Sequence, residues 1–235
     1  MEFIDLSETA RTETAGHSSK GNQLKWRRGE NWYKADHMGY EGLAEVMVSV
    51  FLKKSSIENF AEYCPVRIKY RDSVYSGCMS RNFLNEQEEL IPVEKLFRQF
   101  TGRSLARELG KIPDVKERIL YMVETINEIT GLEKFGEYLT AALEIDAVFL
   151  NEDRHTNNLA EICRKRIHAK PFSRDFDEQL DEAEKLYGKQ IIFRFSEREI
   201  KERLAGWEGI YDRRILERAE ETLRQQIRTY GYLFL

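Results

Sequence analysis

The sequence predicts an α+β fold in which a small sheet carrying one helix is followed by a larger helical part. Three observations predict it. Between residues 22 and 84, short β-favouring runs alternate with turn residues, and only one stretch has helical periodicity. After Leu84 the apolar residues recur at helical spacing. No repeat, low-complexity segment or flexible linker separates the two parts. The layout suits a two-lobed protein, with residues 1–84 as the small lobe, 85–235 as the large lobe and a cleft where they join.

Residues 1–16 are polar and are expected to be extended or frayed. Residues 23–26 and 31–35 read as short strands joined by a tight turn at Arg28-Gly29-Glu30. Residues 41–54 read as a helix with Leu43, Val46, Met47, Val50 and Phe51 on one face. Two more strands, 66–70 and 74–79, flank a hairpin turn at Arg71-Asp72-Ser73.

Pro113 stands near the start of a helix that runs to Thr130 and stops at Gly131, with Val115, Ile119, Met122, Val123, Ile126 and Ile129 as its apolar stripe. A second helix, 132–147, turns Phe135, Leu139, Ala142 and Leu143 inward, and a third, 176–187, is closed by Gly188. Ser196 and Glu199 form a capping box, with Phe195 and Ile200 as a hydrophobic staple. The last helix, 212–230, carries Ile215, Leu216, Ala219, Leu223 and Ile227 on one side. Trp207, Tyr211, Tyr230 and Tyr232 are expected to pack between the C-terminal helices, and the apolar end 231–235 to dock on the large lobe.

Composition narrows the function. The 235 residues are 41% hydrophobic and 33% charged, enough to bury a core. A net charge of −4 gives no global basic bias, which disfavours sequence-independent nucleic-acid binding. Cys64, Cys78 and Cys163 are widely spaced and form no CxxC pair, so they read as small buried apolar residues rather than a zinc or disulfide framework. The first twenty residues lack the basic start and apolar core of a signal peptide, and apolar runs such as 147–150 are too short to span a bilayer. A soluble, cytoplasmic protein is expected.

The densest polar cluster follows an apolar helix end: Ile145-Asp146-Ala147-Val148-Phe149-Leu150-Asn151-Glu152-Asp153-Arg154-His155-Thr156-Asn157-Asn158. Asp153 and Asn158 are five apart, the Asp-x-x-x-x-Asn spacing of phosphoryl-transfer loops. In such a loop a carboxylate orients the acceptor hydroxyl and takes its proton. An amide oxygen a few residues on holds a metal ion against the phosphates. His155, beside Asp153, reads more simply as a buttress of this loop.

The string from Asn151 to Asn158 resembles the catalytic loop of HipA-like bacterial Ser/Thr kinases of the small stand-alone type. The resemblance implies a two-lobed, protein-kinase-like fold, and it extends upstream. Gly16-His17-Ser18-Ser19-Lys20-Gly21-Asn22 looks like the loop that covers the nucleotide phosphates, with Ser18, Ser19, Lys20 and Gly21 as contacts. Trp32-Tyr33-Lys34-Ala35-Asp36 looks like the strand whose lysine, here Lys34, holds phosphates; the plain alternative is an exposed strand lysine. The helix over 41–54 then matches the regulatory helix, whose glutamate pairs with that lysine. Glu41 and Glu45 lie one turn apart on one face, and Glu45 is preferred. Met79, Ser80 and Arg81 fall where the family reads adenine through backbone groups.

One departure concerns the second metal-binding acid. Either a hairpin follows Asn158 and Asp175 is that acid, or Ser173 or Asp175 caps a helix starting near Phe176 and the metal segment is missing. The family pattern fits the second better. The resemblance thus implies a kinase that uses ATP and Mg2+ on a protein Ser or Thr hydroxyl, with Asp153, Lys34 and Glu45 as catalytic residues and Asn158 and Asp175 as metal ligands. The alternative is a pseudokinase that binds nucleotide or a protein partner without phosphoryl transfer.

Overall fold

Five short strands build one curled sheet. Strands β2 (Leu24–Arg28) and β3 (Asn31–Ala35) form a hairpin whose end pair is Arg28 opposite Asn31. Gly29, the first of its two loop residues, has φ +59°, which a II′ hairpin requires at that position and a side chain disfavours. Strands β4 (Tyr63–Tyr70) and β5 (Ser73–Arg81) form a longer hairpin around Arg71 and Asp72. Both run further than the sequence suggested. β4 contains Pro65, but β1 (Ile4–Asp5) pairs with it only at Ile68 and Lys69, so at Pro65 one side of β4 has no strand beside it among the described residues and needs no N–H. The sheet order is β1-β4-β5-β3-β2. Of the extended or frayed start expected, β1 takes the extended form: Leu6 N–H donates to Lys69 O, and Lys69 pairs with Asp5.

The computed structural model describes residues 3–11, 23–84, 88, 90–151 and 174–235, and the chain forms two compact units. The first comprises Met1–Glu86 together with Ile192–Leu235. On one sheet face Leu6, Trp26, Tyr33, Ala35 and Ile68 pack into a core. On the other lies helix α1 (Glu41–Leu52), which buries Leu43, Val46, Met47 and Phe51. The C-terminal segment belongs to this unit, where the sequence had suggested the helical part. It contains α7 (Glu197–Ala205), which begins in the expected Ser196–Glu199 capping box, and α8 (Arg213–Thr229), capped by Asp212. Phe193, Phe195 and Phe234 interlock at ring-centroid distances of 5.1–5.7 Å, which docks the chain's end here.

The second unit, Gln87–Ile191, is helical: α2 (Val93–Thr101), α3 (Leu105–Leu109), α4 (Val115–Thr130), α5 (Phe135–Phe149) and α6 (Arg174–Tyr187). Helix α4 is capped by Asp114, which accepts from Glu117 N–H, and ends at Gly131 with φ +72°. Gly136, Thr140 and Glu144 recur every fourth residue along α5 and face α6. A β-carbon at Gly136 would collide with the Tyr187 ring, so the two helices approach closely there. Of the cysteines expected to be buried, Cys78 is and Cys64 is exposed.

Candidate functional site

Period two along β3 divides its side chains. Tyr33 and Ala35 enter the core, so Lys34 and Asp36 face α1. Lys34 Nζ donates to both carboxylate oxygens of Glu45, at 2.9 and 2.7 Å. The pair is partly buried, with side-chain exposures of 23% and 30%. Glu41, one turn earlier, has a different task. Its carboxylate accepts the backbone N–H groups of Met38 and Tyr40 and so finishes the entry to its own helix. Of the two acids on this face, Glu45 is the one that reaches the lysine.

The surroundings sharpen the pair. Tyr63 O–H lies 3.5 Å from Lys34 Nζ, and the ammonium sits 5.0 Å from the Tyr63 ring centre. Ser49, one turn beyond Glu45, accepts Tyr63 N–H at 2.8 Å and so fixes α1 against the start of β4. Cys78, opposite Lys34 in the ladder, points its thiol at Glu45 at 3.6 Å. Burial alone would lower the Lys34 pKa. The Glu45 carboxylate, followed by Tyr63 and Cys78, more than offsets it and holds the ammonium charged well above the usual lysine range. Burial and the same carboxylate push the Cys78 thiol far up, so it stays S–H.

Asp36 locks the helix to the sheet. Its carboxyl accepts Gly42 N–H in the first turn of α1 at 2.6 Å and Ser76 O–H on β5 at 2.9 Å. Burial raises its pKa against these two bonds. The fit is close. A β-carbon on Gly42 would lie 2.8 Å from Asp36 Oδ1 and from Gly77 C, and one on Gly77 would meet Lys34 O. Tyr211, from the C-terminal segment, donates its buried hydroxyl to Gly77 O at 2.8 Å. Burial, then Asp36, Cys78 and Glu45, raise its pKa.

The remaining residues singled out in the sequence are placed as follows. Ser18, Ser19, Lys20, Gly21, Asp153 and Asn158 lie outside the described residues. Asn151, where the polar cluster begins, is described: its amide donates to the carboxylate of buried Asp146 at 2.8 Å, after Leu150 has left α5 with φ +50°. Met79, Ser80 and Arg81 lie inside β5. Met79 and Ser80 are paired on both sides, to β4 and β3, so their backbone groups serve the ladder. The chain leaves the sheet at Asn82, whose N–H donates to Glu30 O. Asp175 is exposed in the first turn of α6, and its carbonyl accepts from the Gln179 amide. Sequence reasoning missed Asp36, Tyr63, Ser76 and Tyr211. Only Asp36 had a local signal, as an acid two residues from Lys34 on the same strand face.

No protein-family model matches the chain, and no curated protein is significantly similar to it. Among solved structures, the Helicobacter pylori proinflammatory kinase CtkA is similar, with a TM-score of 0.59 at 12% sequence identity, over 97% of this chain and 95% of that one. Likeness at such low identity speaks to fold and leaves the chemistry to the residues. The chain has a kinase-like fold.

Proposed function

We propose that this chain is a kinase of the HipA-like type that binds ATP through Lys34 and transfers the γ-phosphoryl group to a Ser or Thr hydroxyl of a protein. The observation that carries the reading is the Lys34–Glu45 pair between a sheet strand and the adjacent helix of a kinase-like fold. Glu45 occupies two of the three ammonium donors. Among the described residues the third reaches only the long Tyr63 contact, whose place a phosphate oxygen can take. The ammonium would meet the phosphates already charged and oriented.

In this reading the acceptor hydroxyl oxygen attacks the γ-phosphorus while the bond to the β-bridging oxygen breaks and ADP leaves. Asp153 orients the hydroxyl and takes its proton. Asn158 would hold Mg2+, whose charge offsets that of the phosphate oxygens; Asp175 is the candidate second ligand.

A second reading rests on Asp175. Its place in the first turn of α6 favours a helix-opening acid, stabilised there by the helix dipole, over a metal ligand on a turn. The chain would then bind nucleotide without transferring phosphoryl groups. Labelled-ATP transfer by wild type, Asp153→Asn and Asp175→Asn decides between the two. The kinase reading expects transfer that falls by about a hundredfold or more in Asp153→Asn. Nucleotide binding without transfer, indifferent to Asp175→Asn, selects the second reading. Transfer that survives Asp153→Asn contradicts the first.

A further inference from the structure

Helix α1 carries Glu45, so whatever fixes α1 fixes the ion pair. The C-terminal segment holds it at both ends. Beyond its last turn, Lys54 O accepts Arg194 N–H at 2.6 Å, and Ser56 exchanges two hydrogen bonds with Ile192, N–H to O and N–H to Oγ, both at 3.0 Å. The Phe51 ring of α1 lies 4.4 Å from that of Phe195. The segment's end backs this contact, because Phe193 N–H donates to Leu233 O and Leu235 N–H to Phe193 O.

At the other end, Tyr211 O–H is bound to Gly77 O, where Gly42 rests on β5. Beside it, a β-carbon on Gly39 would be only 3.3 Å from Ile215 Cδ1, so α8 covers the loop that leads into the helix. These contacts come from the start and the middle of 192–235 and converge on one helix.

We propose that Ile192–Leu235 is an intramolecular brace for α1, and that Tyr211 is a positioning residue whose hydroxyl keeps Glu45 within reach of Lys34. The consequence for nucleotide binding rests on the role of Lys34 proposed above; the geometric consequence does not. Without the Tyr211 hydroxyl, the Gly77 carbonyl keeps its place opposite Val66 in the ladder but loses its side-chain partner beneath Gly42. The helix start, then held mainly by Asp36, lifts more often, and the Lys34 ammonium spends more time unpaired.

The test uses the full-length chain. The acetylation rate of each lysine by an amine-reactive reagent is read by mass spectrometry in wild type, Tyr211→Phe and Ile215→Ala. Thr140→Val, which removes a buried hydroxyl in the second unit, serves as a control for general destabilisation. Tyr211→Phe is expected to raise the Lys34 rate roughly fivefold and leave the other lysines unchanged. Ile215→Ala should act in the same direction, and Thr140→Val should not move Lys34.

ATP affinity should also fall by roughly fivefold in Tyr211→Phe, and this loss should vanish in a Glu45→Gln background if the hydroxyl acts through the pair. An unchanged Lys34 rate in folded Tyr211→Phe, or a uniform rise over all lysines, overturns the brace. A wild type that binds no ATP overturns the kinase reading instead, while the acetylation rates still decide the brace.

Discussion

At the scale of single residues, the account turns on groups that are buried and partnered. Glu45→Gln keeps the shape of the side chain and removes the charge that holds Lys34. Because the pair is about a quarter exposed, solvent screens part of the effect, and ATP affinity is expected to fall about tenfold with little loss of stability. Asp36 behaves differently. Asp36→Ala leaves the Gly42 amide and the Ser76 hydroxyl without their acceptor and should cost about 2 kcal/mol in chemical denaturation. Asp36→Asn keeps an acceptor oxygen and should retain most of that stability.

Glu144 gives the pH dependence. It is fully buried, accepts Gln190 and Ile191 N–H, and sits beside Glu184. Burial, then its contact with Glu184, pushes its pKa up to about 8 against those amide bonds. A carboxyl whose pKa is raised on folding binds a proton in the native state that the unfolded chain has released. Its stabilising contribution is therefore full below the ordinary value near 4.5 and is lost as pH rises through 8. Stability of the second unit should decline across that window, by at most about 1.4 kcal/mol per pH unit. Glu144→Gln should flatten the decline, as hydrogen exchange at α5 and α6 amides would report.

At the scale of elements, α1 is the part on which fold and site meet. Gly42 is required by contact rather than by conformation: its β-carbon would press on backbone atoms of Gly77 and Cys78, which cannot give way as a side-chain tip can. Gly42→Ala should therefore lift the first turn of α1 and cost about 1–3 kcal/mol in denaturant unfolding. It should also raise the reactivity of Lys34. Gly77→Ala should be worse, since its β-carbon would meet the Lys34 carbonyl.

Much of this level was legible in the sequence. The period of α1, the Gly29 turn, the Pro113 start and Gly131 stop of α4 and the Ser196–Glu199 box are local signals, and the elements formed where those residues stand. The two-residue β1 was not legible, because its polar flanks hide it and its partner lies more than sixty residues away. Nor was the full length of β4, because Pro65 reads as a breaker until the sheet order shows that its side is unpaired.

At the scale of the whole molecule, the mixed α+β make-up was legible, because a sheet with one helix, then helices, is a pattern of elements that periodicity reports. The kinase-like fold came from the resemblance of residues 151–158 to a family loop. The company of the last segment was not legible. Tyr211 looks like packing for neighbouring helices, and nothing in its spacing shows that it bonds β5, nor that Phe193 pairs with Ser55 just beyond α1. Lys34 and a glutamate of α1 could be proposed as partners because the family resemblance implies such a pair, and the one-turn repeat narrowed the acid to Glu41 or Glu45. Asp36, Tyr63, Cys78 and Tyr211 come from separate elements, and only topology assembles them.

In the proposed kinase reading, the Lys34–Glu45 pair receives nucleotide phosphates. Calorimetric titration of Mg2+-ATP into wild type and Lys34→Met tests it most directly. The account predicts saturable binding by wild type, and a loss of at least about tenfold in Lys34→Met with the fold unchanged by circular dichroism. Equal affinity in the two proteins, or no binding by folded wild type, would contradict it.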